Sequence, residues 1–307
     1  MTSLLRTALQ GSRALTVLAG VMSGMLVVCV AGLLFDHRTV GGQPVWLKPG
    51  KFAVSLAVYG FTLAWMLAQL RRGRRAAGRA AVAIAVAAYV EYVVIAGQAA
   101  RGHASHFNEA TFLDEALWRG LSALATVLWV GTVVIAVLLW RDGMPDRAGT
   151  WAVRLGLLLL LAGMMQAFTM VIPTAEQIAL QERGVTTMMG AHSVGVPDGG
   201  PGMPLTGWST TGGDLRVGHF VGIHGLQAIL LFSLLLPRLV DDVVRRTRLV
   251  FVFAFAYAGL LVLVTWQALR GQPLHHPDGV TLTALGVMVT TAVLLAVVSW
   301  SRRTPAT

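Results

Sequence analysis

Long apolar runs alternate with short polar ones along the whole chain. The runs lie at about 14 to 35, 52 to 70, 80 to 100, 117 to 140, 152 to 174, 217 to 237, 249 to 269 and 280 to 300. Each is close to the roughly 20 residues that a helix needs to cross a hydrocarbon core. A backbone facing lipid must satisfy its own hydrogen bonds, so every run is predicted to be helical. The pattern therefore predicts an all-α polytopic membrane protein, a bundle of about eight transmembrane helices forming a single membrane domain over residues 1–307.

Composition supports this reading. Hydrophobic residues make up 55% of the chain and charged ones 12%, against about 25% charged in an ordinary soluble domain, and the mean hydropathy is +0.68. The 24 basic residues are unevenly placed. Arg6, Arg13, the run Arg71, Arg72, Arg74, Arg75 and Arg79, then Arg141, Arg147, Arg154, Arg238, Arg245, Arg246, Arg248, Arg302 and Arg303 all fall in or beside alternate connections. By the positive-inside rule those connections are cytoplasmic, with both termini inside, in a bacterial plasma membrane. The formal charge of +10 is thus a topology signal, and nucleic acid is excluded as a partner.

The first apolar run, about 21 residues, is longer than the core of a cleavable signal and is read as a membrane helix. It holds the lone cysteine, Cys29, read as a small buried apolar residue. Gly20 and Gly24 form a small-xxx-small pair that would admit a close helix. Residues 175 to 216 form a long extracytoplasmic segment dense in Gly and Pro. Its apolar anchors Met203, Leu205 and Trp208 suit an ordered cap over residues 184 to 216 better than a tether. Asp214 suits an N-cap for the sixth span.

Polar groups inside the spans are costly and normally face protein or water. Glu91 lies about 15 Å from either end of the third span. Gln98, seven residues on, falls within about 20° of it on the helix, so the two define one polar stripe. Gln166 and Gln177, 11 apart, would make a second stripe if the fifth span ran on as helix, with Thr174 about 80° away. Lys51, at the outer end of the second span, is a candidate cation for Glu91.

All eight histidines fall in segments assigned to the outer face: His37, His103, His106, His192, His219, His224, His275 and His276. On the sixth span, His219, His224 and Gln227 share a polar sector, but a spacing of five residues does not chelate a metal on one helix, so ligands from other elements are required. His103 and His106 beyond the third span and His192 in the cap are the candidates, while His275 and His276 suit ordinary solvated roles.

The strings VWLKPGKF (45 to 52), QAARGHASHFN (98 to 108), GAHSVGVPDGGPG (190 to 202), GWSTTGGDLR (207 to 216) and HFVGIHGLQ (219 to 227) resemble those of a group of predicted bacterial multi-pass membrane proteins. The resemblance covers most of the chain. It implies the helical membrane architecture and supplies no catalytic residue or cofactor.

Three functions fit these residues. The leading expectation is a redox or sensing protein that binds haem b, copper or zinc through His103, His106, His192, His219 and His224. In it Arg101 or Arg216 would pair with a propionate, Gln98, Asn108 and Gln227 would orient the imidazoles, and Glu91 would exchange a proton. The second is a small-solute, ion or proton-coupled transporter using Glu91. The third is an assembly subunit whose cap holds a membrane-complex partner or a second copy of the chain.

Overall fold

In a computed structural model the chain is described over residues 3–185 and 188–301. Arg302 and Arg303 of the charge count lie outside the described residues. The elements are α1 (Ser3–Gly11), α2 (Arg13–Phe35), β1 (Thr39–Val40), β2 (Gln43–Pro44), α3 (Leu47–Ala68), α4 (Arg74–Arg101), α5 (Phe112–Asp142), α6 (Arg147–Gln166), α7 (Ala175–Glu182), β3 (Ser193–Val194), β4 (Gly213–Asp214), α8 (Leu215–Leu235), α9 (Val243–Leu269) and α10 (Gly279–Ser301). Among the described residues eight helices are long and apolar enough to cross a membrane, namely α2 to α6 and α8 to α10. The protein is an all-α polytopic membrane protein, and each expected span corresponds to one of these helices.

Local chemistry sets the helix ends. Ser12 caps α2 and Asp146 caps α6, each side chain accepting a backbone N–H of the first turn. The end of α4 is a Schellman turn: Gly102 takes a left-handed φ of +74°, and the N–H groups of Gly102 and His103 close back on Ala99 and Gln98. The fifth span stops earlier than its hydropathy suggests. After Gln166 a 3-10 turn covers Ala167–Val171, Pro173 follows, and Thr174 with Gln177 forms a capping box that starts α7. Gln177 is therefore not on the helix that carries Gln166, and the second polar stripe does not exist. Proline withholds a backbone donor and sterically disfavours the preceding helical turn, so the 11-residue arithmetic fails there.

The chain divides into two compact units. The first comprises Met1–Leu138, Met170–Ala191 and Pro197–Trp208. In it α2 and α3 pack face to face, α4 lies against both, and the short α1 lies against α3. A side chain at Gly11 would strike the backbone of Ala64 and Ala68. Gly20 and Gly24, by contrast, face open space, with nothing within 4 Å of where a side chain would begin, so the small pair inferred on the first span receives no helix among the described residues. Cys29 is buried, its sulfur 3.3 Å from the Tyr92 hydroxyl.

The second unit comprises Leu139–Thr169, His192–Val196 and Ser209–Thr307. Its core is the contact of α6 with α8, both of which also pack on α9. Gly163 and Gly222 meet backbone to backbone there, with the Cβ position of Gly163 only 2.4 Å from the Gly222 carbonyl carbon. Helix α10 packs on α9.

The described residues of the cap are hydrogen-bonded within each unit. In the first, Met189 N–H donates to Phe107 O (2.8 Å), Asn108 bridges Met188, and the Gln177 side chain both donates to and accepts from the Gly190 backbone. Lys51 Nζ donates to Thr206 O (2.6 Å), and Trp208 is more than half buried. In the second, β3 pairs antiparallel with β4, and Leu215 N–H donates to His192 O. Within the first unit these residues meet the segment after α4, and within the second they meet the start of α8.

Candidate functional site

Within the first unit α4 carries the sequence-derived stripe, and both of its members are buried: Glu91 is 6% exposed and Gln98 1%. The 28 residues of α4 put Glu91 in its interior, where every backbone group is committed to the helix. Its carboxylate has no hydrogen bond and no ion-pair partner among the described residues. The cation whose field reaches it is Lys48 in the first turn of α3. Lys51, the expected partner, is turned to the cap instead, because the two lysines differ by three residues and hence by about 60° around the helix. Tyr59 also lies within the field of Glu91. Its hydroxyl donates to Thr132 Oγ1 on α5 (2.6 Å), since Thr132 spends its own proton on Leu128 O.

Toward the end of α4 the stripe leads into a second carboxylate. Asp114, in the first turn of α5, has a fully buried side chain. It accepts from Gln98 Nε2 (2.8 Å) and Thr111 Oγ1 (2.7 Å), and His103 Nδ1 lies at 3.3 Å. Arg101 Nη1 donates to Gln98 Oε1 (2.6 Å) and stands 3.6 Å from Asp114. The side chains of Arg101 and His103 are 42% and 40% exposed, so this network joins a buried carboxylate to the surface. His106 sits in an aromatic nest of Phe52, Phe107 and Trp118, with Ser105 Oγ 3.1 Å from its Nδ1. Phe107 holds a left-handed φ of +62°, a strained conformation for a bulky residue, and its carbonyl anchors the cap. Asn108 serves the loop, donating to Ala104 O and accepting from Ala110 N–H, rather than an imidazole.

In the second unit His219 Nδ1 is 2.7 Å from Gly163 O, so Nδ1 carries the proton and Nε2 is left as an acceptor. His224 packs on Phe220 (4.5 Å between centroids) with Gln227 beside it. Gln166 bridges Leu215 O and Thr265. His192 flanks Asp214, with Ser193 Oγ 3.4 Å from its Nδ1. Arg216, expected to pair with a propionate, is instead ion-paired with Asp214 at 2.6 Å. Among the described residues no group of three or more His, Cys, Asp or Glu could hold a metal ion.

Asp214 is the N-cap of α8 and accepts from Ser209 N–H and Arg216. Burial raises its affinity for a proton, but Arg216, His192 and the Ser209 N–H together outweigh burial and hold the carboxyl below the usual carboxylate range. A depressed folded pKa contributes stability above the unfolded value that is lost as pH falls through the folded one. Thermal unfolding should therefore keep this contribution down to about pH 4 and lose it only in stronger acid. Asp214→Ala should cost about 2 kcal/mol at pH 7, because it strands the Ser209 N–H in a buried position. Melting curves of the two proteins from pH 7 to 3 check this, and equal curves would refute it.

Sequence reasoning missed Lys48, Tyr59, Thr132 and Asp114. The threonine at position 111, three residues before Asp114 at a helix start, was the one local signal. Tyr59 and Thr132 meet 73 residues apart in sequence, which no spacing rule reveals. The class that the fold defines is a multi-pass helical membrane protein with a buried carboxylate in one span. No protein-family model matches the chain, and no curated protein and no solved structure matches it.

Proposed function

We propose that the protein is a proton-coupled or cation-coupled transporter whose coupling group is Glu91. One observation carries this reading: a carboxylate 6% exposed in the interior of a membrane helix with neither hydrogen bond nor ion pair among the described residues. An unpaired charge in such a place is costly, so Glu91 holds a proton or a cation at rest. A group that is neutralised by a removable ion, rather than by a fixed arginine, can exchange that ion. Gln98, Asp114, Arg101 and His103 form a polar network that reaches the surface, and Gln98 lies about 10 Å along α4 from Glu91.

The positive-inside bias supports a bacterial plasma-membrane location with both termini cytoplasmic, which makes the His103 end extracytoplasmic. A reporter fused at residue 190 should then read outside and one at the C-terminus inside. The transport reading is tested in proteoliposomes loaded with a pH-sensitive dye. Under an imposed potential the protein should move protons, or move a sodium or potassium ion in their place, and liposomes indistinguishable from empty ones would sink it.

A second reading keeps one specific observation. The Nδ1 contact of His219 with Gly163 O orients an imidazole in the way that proteins orient metal-bound histidines, which supports a haem b or transition-metal site in a redox or sensing protein. Purified protein with a Soret band, or with one metal per chain, would favour it.

A further inference from the structure

Three arginines of the second unit stack on tryptophan, and they are not equivalent. Arg270 lies over Trp266 (4.6 Å to the centroid) and is neutralised by Asp278 at 2.6 Å. Arg154 lies over both Trp140 and Trp151, 5.2 Å from each, and Arg245 over Trp300 at 5.4 Å. Neither has a carboxylate within ion-pair distance among the described residues. The Nε of each is buried with no hydrogen-bond partner, and Arg154 gives a single bond, from Nη2 to Trp140 O (2.7 Å).

Arg154 falls within the apolar span Arg147–Val171, two turns from its start. An arginine there needs a counter-charge, and the chain provides π faces and one carbonyl instead. The indoles of Trp140 and Trp151 meet edge to face, 6.4 Å between centroids and 83° between planes, and the guanidinium packs against this pair with donors left for a planar or tetrahedral oxyanion. The tryptophans also mark the depth at which indoles settle, the level of lipid headgroups. We infer that Arg154, seated against Trp140 and Trp151, binds the phosphate of an anionic phospholipid, and that Arg245 on Trp300 contributes a second such contact on the same unit. Phosphate is the shared chemistry of a lipid headgroup and a free anion, and the site's position in a membrane span assigns it to the lipid. This inference is independent of the transport reading.

The test uses delipidated full-length protein in detergent, titrated with phosphatidylglycerol or phosphatidylcholine and followed by native mass spectrometry and by melting temperature. Phosphatidylglycerol should bind and stabilise more than phosphatidylcholine. One basic contact near the membrane surface amounts to about fivefold in affinity, so Arg154→Gln should weaken phosphatidylglycerol about fivefold, and adding Arg245→Gln should bring the loss to roughly 30-fold. Arg147→Gln, which removes an exposed arginine with no tryptophan contact, should change affinity less than twofold. Equal binding of the two lipids, an equal loss in Arg147→Gln, or the same stabilisation by inorganic phosphate alone would each overturn the inference. If the Arg154 variant does not fold, the comparison of the two lipids and phosphate on the unaltered protein decides.

Discussion

Glu91→Gln should reduce ion movement in proteoliposomes to the level of empty liposomes while leaving the protein folded. The side chain is buried and accepts no hydrogen bond among the described residues, so a neutral amide of the same shape replaces it without breaking a structural pair. Its melting temperature should stay level or rise, because the amide is neutral without a bound proton or cation. The rate should fall at least tenfold, since the amide cannot release a proton or hold a cation. Glu91→Asp keeps the chemistry but withdraws it by one methylene from Lys48 and Tyr59, and should retain part of the rate. Flux that survives in Glu91→Gln would end the transport reading. A collapse of folding with Gln would instead identify Glu91 as a structural acceptor. Proton flux measured with the pH dye, beside a melting curve on the same preparation, separates these results.

Gly163→Val should severely damage the fold of the second unit. A Cβ at Gly163 would lie 2.3 Å from Ile223 N and 2.4 Å from Gly222 C, and these are backbone atoms that no rotamer change can move aside. Helices α6 and α8 would have to separate, and with them would go the contact between Gly163 O and His219 Nδ1. Overpacking commonly costs about 1 to 3 kcal/mol, and a backbone clash belongs at the upper end or beyond. Gly78→Val on α4 is the matched control, as nothing lies within 4 Å of its Cβ position. The Gly163 variant should lose its monodisperse peak in size-exclusion chromatography or melt well below wild type, and the Gly78 variant should do neither. Equal behaviour would show that the two helices can part at little cost.

What was legible in the residues themselves was everything governed by short-range regularity. Apolar run length determined the eight spans, because a membrane imposes one thickness on all of them. Helical periodicity placed Glu91 and Gln98 on one buried face, because both sit on a single uninterrupted helix. Asp214 was legible as an N-cap, because capping is a contact between near neighbours. The stripe through Gln166 and Gln177 failed for a reason also present locally, Pro173 followed by the Thr174 capping box, whose weight against a continuing hydropathy signal was not apparent.

Only the tertiary structure decided which groups face one another. Lys48 rather than Lys51 acts on Glu91, Gly163 and Gly222 rather than Gly20 and Gly24 bring helices together, and Asp114 gathers Gln98, Arg101 and His103 around a buried carboxylate. Each of these depends on the rotation of one helix about its axis relative to another. In a chain whose spans are apolar on nearly every side, hydropathy does not distinguish the face that meets protein from the face that meets lipid. The residues alone therefore determine how many spans there are and roughly where each one lies, whereas close packing of small residues and pairing of the few polar groups determine which faces meet.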